Sequence, residues 1–371
     1  MIFSKPIVTV EDARLAAKRR LPAMVFDYID GAAGEGHGEM LNRRALADIR
    51  LKSRVLQNVE KRSVASSVFG KETALPFGIA PMGMCNLSGP GTDLMLARFA
   101  AMNQVPLGVS TAASTPLEDI QEVAQGNAWF QLYYTADRSA SEHLLKRAEA
   151  SGYDVLVLTV DVPEVGKRPR ELRHGFKMPF KIGPRQFIDF SLHPRWSIST
   201  LLAGAPDLAN FNGDQVQFDR SASRAGADWD YLKELRARWK GKLVIKGVLD
   251  ADDAKRLKKI GVDAIQVSSH GGRQLDSAVP PIEALKSIRA AVGSEFSLFY
   301  DSGIRSGEDI VKARAMGADF VFIGRPFQFS VAAGGEAGLS DLGNMLSDEV
   351  SQTLAMLGLT SVDAISSAVL G

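Results

Sequence analysis

The sequence predicts an α/β chain whose eight parallel strands close into a (β/α)8 barrel of the TIM class, with an N-terminal helical cap and a long loop insert after the fourth strand. Three observations point there. From Phe77 onward, short apolar runs alternate with amphipathic segments, the pattern of a parallel sheet covered by helices. There are eight such runs, most of them continuously apolar or β-branched, as strands buried on both faces should be. No G-x-G-x-x-G follows the first run, so the competing doubly wound open sheet lacks its main signature.

Taken in order, strands are expected at Phe77–Pro81, Pro106–Ser110, Trp129–Tyr133, Val155–Val160, Leu243–Lys246, Ala264–Ser268, Ser297–Asp301 and Phe320–Ile323. Start and stop signals mark helices between them. Thr115-Pro116-Leu117-Glu118 places a capping threonine before a proline in the first turn. Ala251-Asp252-Asp253-Ala254 opens a helix that closes on Lys258-Lys259-Ile260-Gly261, with acids at the positive end of its dipole and cations at the negative end. Ser306-Gly307-Glu308-Asp309 opens another, closing at Met316-Gly317. Residues 1–76 carry a helix start at Thr9-Val10-Glu11-Asp12 and read as a cap on the barrel. The barrel spans 77–330, interrupted by an insert at about 163–228 that far exceeds an ordinary βα loop, and 331–371 form C-terminal helices. One domain over 1–371 is the expectation.

Composition narrows the function. Apolar residues at 45% and charged residues at 23% fit a soluble globular chain with a sizeable core. Lysine and arginine total 44 against 43 acids, a net charge of +1, which gives no electrostatic case for nucleic acid. The single cysteine, Cys85, excludes an intramolecular disulfide framework and a cysteine-based zinc site. None of the five histidines has H-x-x-x-H spacing, so no metal is expected. Met1-Ile2-Phe3-Ser4-Lys5-Pro6 lacks the basic start and apolar core of a secretory signal, and no apolar run reaches the roughly 18 residues of a membrane span. The expectation is a cytoplasmic protein.

In such a barrel the C-terminal strand ends form the active site, so the residues there are read as one ring. After Ala264-Ile265-Gln266-Val267 comes Ser268-Ser269-His270-Gly271-Gly272-Arg273. His270 and Arg273 can serve as a base and an anion clamp, with the Gly pair turning the chain between them; an ordinary hydrogen-bonded loop is the alternative. Lys246 ends its strand at the barrel mouth, as a Schiff-base nucleophile or as a cation facing developing negative charge. Asp161 can orient His270 and stabilise its protonated form, or cap a loop. Arg168 can join Arg273 on a carboxylate, while Lys167 and Arg170 beside it read as solvated. Asp301-Ser302-Gly303-Ile304-Arg305 and Gly324-Arg325 close the ring with small residues and cations suited to a phosphate.

These motifs resemble the FMN-dependent (S)-2-hydroxy-acid oxidases and dehydrogenases. The resemblance runs from about Leu21 to the C-terminus, through Leu21-Pro22 to Phe26-Asp27-Tyr28, Phe130-Gln131-Leu132-Tyr133, Leu158-Thr159-Val160-Asp161, Ile245-Lys246-Gly247, the block from His270 to Asp276, Asp301 to Arg305, and Gly324-Arg325-Pro326. It implies His270 as the catalytic base, Asp161 as its charge partner and Tyr133 as the phenol at the substrate hydroxyl. It implies Arg168 and Arg273 as the substrate-carboxylate ligands, with Tyr28 assisting. For FMN it implies Pro81, Met82, Gly83, Ser110, Gln131, Thr159 and Ser268 around the ring, Lys246 near its N1 and O2, and Asp301, Ser302, Gly303, Arg305, Gly324 and Arg325 along the ribityl chain and phosphate.

The departures from the family pattern carry information too. Ser269 stands where many relatives have Asn, Gly83 where Ala is frequent, and Ala112 where short-chain oxidases carry Trp. With the modest Val165, these leave room for a ring or branched side chain. The insert, with Leu192-His193-Pro194-Arg195-Trp196-Ser197 and Asp207-Leu208-Ala209-Asn210-Phe211, looks most like the mandelate and respiratory lactate dehydrogenase branch. That likeness implies oxidation of an (S)-2-hydroxy acid such as mandelate, electron transfer to a membrane quinone, peripheral contact with the inner face of the cell membrane through the insert, and a homotetramer. An L-lactate dehydrogenase, or an oxidase that makes hydrogen peroxide from oxygen, is the alternative inside the family. A non-redox FMN barrel such as an isomerase is the alternative outside it.

Overall fold

Eight strands close into one parallel barrel. In the computed structural model, which describes residues 7–135, 138–176, 182–211 and 223–371, they are β3 (Phe77–Met82), β4 (Leu107–Ser110), β5 (Ala128–Tyr133), β6 (Val155–Thr159), β7 (Lys242–Val248), β8 (Ala264–Val267), β9 (Ser297–Tyr300) and β10 (Phe320–Ile323). Each pairs in parallel with its sequence neighbour, and β10 returns to β3 to close the ring. All eight expected strands are present, with ends shifted by no more than two residues. The N-terminal stretch read for a secretory signal, and residues 177–181 and 212–222 of the insert, lie outside the described residues.

Strand alternation divides the core in two. Trp129, Val155, Val157, Val244, Phe299, Phe320 and Phe322 point inward and fill the barrel, while neighbours such as Leu156, Leu158, Ile245 and Ile265 pack outward under the helices. The barrel floor comes from a hairpin not expected from the sequence, β1 (Ser66–Val68) and β2 (Lys71–Thr73). Phe69 and Gly70 at its tip both take positive φ, the geometry of a tight two-residue turn, and Phe69 lies 5.5 Å from Trp129 and 5.3 Å from Phe299, ring centre to ring centre. A Phe-Gly tip lacks the Asn-Gly signal, and three-residue strands carry too few alternations to be read.

The helix signals hold with one shift. Thr9 caps Val10–Arg20, and Ser306 caps Gly307–Ala315 in a reciprocal pair with Asp309. Asp250 caps Ala251–Ile260, which ends on Gly261 in the left-handed region. Near Thr115 the expectation was one residue early: the helix is Leu117–Ala124 with Pro116 at the cap position, and no side chain caps it. The terminal helix runs Arg325–Leu357 with a break at Gly335, so it begins before the expected boundary at residue 331.

The insert is partly helical rather than a bare loop. Pro184–Leu192 and Pro194–Ala203 each open on a proline, and Trp196 is buried with its indole N–H donating 2.7 Å to the Leu87 carbonyl. Ala23 N–H donates 2.9 Å to Asp189, tying the insert to the cap. Its first helix, Pro169–Arg173, is bound to the cap helix Ala23–Asp30 by charge. Arg170, expected to be solvated, instead pairs with Asp27 and with Asp30 at 2.8 Å, and Arg14 meets Asp30 at 2.6 Å. Arg14 and Arg170 also lie 5.6 and 5.8 Å from the centre of the Phe26 ring.

This cluster gives a pH-dependent stability. Burial opposes ionisation of Asp30, but Arg14 and then Arg170 outweigh it and hold its carboxyl at about 2, from an ordinary 3.8. A depressed carboxylate contributes stability that is present above its unfolded value and lost as pH falls through the folded one. Asp30→Asn is therefore expected to cost about 2 kcal/mol at pH 7, with the deficit against wild type closing between about pH 4 and pH 2. Denaturant unfolding across that range measures it; a deficit independent of pH would show that the ion pairs are not its source.

Candidate active site

The strand register brings Ser110 beside Gln131, Tyr133 beside Thr159, and Thr159 beside Lys246 at the C-terminal end of the barrel. Above them is a cavity of about 690 Å3, the size of a cofactor site. Tyr28, Pro81, Met82, Gly83, Ser110, Tyr133, Arg168, Lys246, His270, Arg273, Asp301, Ser302, Gly303, Arg305, Gly324 and Arg325 all line it. Asp161, Gln131, Thr159 and Ser268 are not in the lining but buttress residues around it. Gln131 accepts from Ser110 Oγ at 3.2 Å and donates to Thr159 Oγ1 at 3.0 Å, which fixes the three in one orientation.

His270 takes a left-handed backbone conformation, φ 56°, held by its own N–H donating 2.9 Å to Ser268 Oγ. Gly271 follows at φ 65°, a left-handed conformation that favours glycine, and a Cβ there would come within 2.7 Å of Arg325 Nη1. His270 Nδ1 and Asp161 Oδ1 are 3.0 Å apart, both side chains largely buried. Burial lowers the affinity of His270 for a proton below the usual imidazole value, against the pull of Asp161. Burial likewise opposes the Asp161 charge, but His270 and Lys246 keep its carboxyl below the ordinary range. These directions favour a neutral imidazole beside a carboxylate, a pairing in which Nδ1–H is directed at Asp161 and Nε2 can accept a proton. Gly247 makes this packing feasible, since a Cβ there would lie 2.5 Å from Asp161 Cβ.

Lys246 is held by the β8 and β9 strand ends. Its ammonium lies 3.1 Å from Asp301 and donates 2.8 Å to Ser268 Oγ. Asp301 in turn accepts from Gln266, Ser268 and Ser302 at 2.6, 2.7 and 2.7 Å. Burial works against the lysine charge, but Asp301 and Asp161 raise its affinity for a proton above the ordinary value, so the cation persists although buried. Tyr133 is half-buried, and burial with Asp161 pushes its phenol up, keeping it a hydrogen-bond donor. The Ser269 substitution is accommodated by Asn42, whose amide donates 2.8 Å to Ser269 Oγ.

Arg168 and Arg273 meet on the far side of the His270 loop. Arg273 donates from Nη1 to the Tyr28 and Gly31 carbonyls at 2.9 and 2.8 Å, and its guanidinium stands 5.4 Å from the centre of the Tyr28 ring. Arg168 Nε donates 3.3 Å to the Arg273 carbonyl. Tyr28 stacks on Phe176, ring centres 4.6 Å apart, and its hydroxyl donates 3.3 Å to the Gly83 carbonyl. Phe176, Glu171 and Arg224 line the cavity as well and were not singled out in the sequence. Glu171, three residues after Arg168 on a short helix, was legible as an i,i+3 partner. Arg224, 5.0 Å over the Tyr133 ring, returns from the far end of the insert, which no local pattern announces.

The last two strand ends hold the cations expected for phosphate. Arg325 donates to the carbonyls of Ile29, Gly31 and Gly271 at 3.2, 2.7 and 2.9 Å. Burial, then Arg273 and Arg305, push its guanidinium down to about 9. Arg305 donates 3.0 Å to Glu39. A part-buried guanidinium on which two neighbouring cations act more strongly than Glu39 and Asp30 favours an anion beside it, and a phosphate supplies one. The same cavity thus offers a phosphate end, a lysine cation and a histidine–carboxylate pair, which suits FMN.

Comparison with known proteins agrees. Residues 17–371 match the FMN-dependent dehydrogenase family. The chain is 38% identical to (S)-mandelate dehydrogenase of Pseudomonas putida, over 98% of this chain and 94% of the relative. It is also 38% identical to an L-lactate dehydrogenase of Allorhizobium ampelinum, over 96% of each. A crystal structure of the monotopic membrane protein (S)-mandelate dehydrogenase superposes with TM-score 0.93 at 36% identity, covering 99% of this chain and 100% of that one. A mandelate oxidase structure superposes with TM-score 0.84 at 35% identity, over 96% of each. The chain belongs to the FMN-dependent dehydrogenase family, as an FMN-dependent oxidoreductase of hydroxy acids.

Proposed function

We propose that the chain oxidises an (S)-2-hydroxy acid to the 2-oxo acid, that an aromatic or larger acid such as (S)-mandelate is its substrate, and that the electrons pass to a membrane quinone. The observation that carries this reading is the His270–Asp161 pair beside one cavity that Arg168 and Arg273 share. The two guanidiniums hold the substrate carboxylate with Tyr28 assisting, and the Tyr133 phenol fixes the substrate hydroxyl. His270 Nε2 takes a proton from the bound acid, and Asp161 stabilises the imidazolium that results. FMN supplies the two-electron oxidant when bound. Lys246 keeps a fixed positive charge where negative charge gathers, at no cost of reorganisation.

Substrate width is read from Gly83 and Ala112, both in the cavity lining, with Val165 at its edge. A Cβ added to Gly83 would stand 3.2 Å from the Ala112 Cβ, so the two small residues share one space. Ala112→Trp should therefore lower kcat/KM for (S)-mandelate at least about tenfold relative to lactate. A panel of (S)-mandelate, lactate and glycolate, each with an artificial acceptor and with oxygen, tests the reading. Mandelate is expected to be the best substrate and the artificial acceptor the faster oxidant. Glycolate as the best substrate would overturn the substrate assignment, and rapid peroxide formation would favour an oxidase.

The insert supports contact with a membrane surface. Phe187, Ile188 and Leu192 on one helix, and Ile198, Leu201 and Leu202 on the next, are exposed, Leu201 and Leu202 at more than 80%. Two adjacent amphipathic helices with that much apolar surface fit the boundary of a bilayer. Among the described residues, no helix is long and apolar enough to cross a membrane. Distribution of the enzyme between soluble and membrane fractions tests this contact, and residence on the inner face of the cell membrane is part of the proposal.

A further inference from the structure

The arginine pair already holds a carboxylate, and it belongs to the chain. Glu171 Oε1 accepts from Arg273 Nη2 at 2.9 Å and from Arg168 Nη1 at 3.4 Å. All three side chains are 11 to 15% exposed, and Glu171 lines the same cavity as His270. Arg168 and Glu171 flank the first turn of Pro169–Arg173, and Gly166 lets this segment close onto the His270 loop, since a Cβ there would lie 2.6 Å from the Arg273 carbonyl. Two buried guanidiniums without an anion would be costly, and Glu171 offsets one of the two charges.

We propose that Glu171 is an internal competitor for the arginine pair, so that it sets the affinity of the site for a substrate carboxylate. This rests on the proposed role of Arg168 and Arg273. With Glu171 ionised, these three groups by themselves sum to a single positive charge. The incoming carboxylate then shares both guanidiniums with a like charge a few ångströms away, and in a buried site that repulsion is strong. Glu171 thus holds the two forks in register before substrate arrives, and it weakens the binding of the substrate carboxylate. It is a positioning residue, because it acts on the substrate through the arginines.

Glu171→Gln separates the two parts of that role. The amide oxygen keeps an acceptor for the guanidiniums, while the competing charge is gone. The probes are phenylacetate, which has the carboxylate but no hydroxyl to oxidise, and the uncharged phenylacetamide, each titrated into oxidised holoenzyme and followed by the flavin absorbance. If the wild type prefers lactate, propionate and propionamide replace them. The E171Q variant is expected to bind the carboxylate on the order of tenfold more tightly than wild type, with the amide changed less than about twofold. Equal or weaker carboxylate binding would overturn the proposal, as would an equal gain for the amide. If E171Q does not retain flavin, Glu171→Asp, which withdraws the carboxylate by one methylene, is held to the same inequality. Wild-type flavin that no 2-hydroxy acid reduces would defeat the proposed function itself; wild-type reduction with no effect in E171Q defeats only the competitor.

Discussion

His270→Ala is expected to keep its flavin and to lose reduction by substrate by about 10³-fold or more. General-base catalysis contributes about 10² to 10⁴, and among the described residues no other imidazole lines the cavity. Flavin retention is expected because the phosphate end, centred on Arg325 and Arg305, lies on other strand ends. The fold should tolerate the change: alanine meets the same left-handed penalty that His270 already accepts at φ 56°. The signature is the pH profile. Wild-type reduction should fall on the acid side through a limb below the ordinary imidazole value of 6.5, because burial lowers His270 and the base must be neutral. The variant should show its residual rate without that limb. Stopped-flow reduction measured across pH decides it, and normal turnover in the variant would remove His270 from the mechanism.

Lys246→Met carries the second large effect, on two observables. The substitution removes a buried cation from Asp301, which remains 8% exposed and accepts from three neutral donors. Breaking a buried pair by removing one partner costs about 3–5 kcal/mol, although those three donors should bring the loss to the low end. Flavin reduction should slow by on the order of 10² to 10³, the usual effect of removing a preorganised charge from developing negative charge. The flavin midpoint potential should also fall, since the reduced, more anionic form loses its cation. An unchanged potential with a lowered melting temperature would mean that Lys246 serves only the packing of the strand ends.

Much of this was legible because the barrel repeats one signal. Runs such as Val155–Thr159 are apolar at nearly every position, and their ends cluster at one mouth by topology alone, so Lys246, His270 and Arg325 fall in one ring on sequence grounds. Contacts that depend on chain segments distant in sequence were not legible. The stacking of Phe176 on Tyr28 and the Arg14–Asp30–Arg170 cluster join the cap to the insert, and Arg224 returns from the insert over Tyr133 of the barrel. Neither the cap nor the insert has a period that fixes its partner. Arg170 shows the cost most plainly: a charge among charges reads as solvated until Asp27 and Asp30 are seen to face it.

The bracing role of three residues that the resemblance names as flavin contacts was hidden for a different reason. Gln131, Thr159 and Ser268 are ordinary polar residues at strand ends, and only the parallel register shows that they brace the lining through one another. Residues of this kind set the orientation of Ser110 and Lys246 while touching little of the cavity. Their loss should change rates more than binding.

One cavity, on this reading, combines a histidine base, an arginine pair and an FMN site for the oxidation of a 2-hydroxy acid. Anaerobic mixing of the oxidised holoenzyme with (S)-mandelate tests that combination without an external acceptor, because a single turnover needs none. The flavin absorbance near the visible maximum should bleach fully and at a rate that saturates with substrate, yielding one 2-oxo acid per flavin. Flavin that stays oxidised with (S)-mandelate, lactate and glycolate alike would refute it.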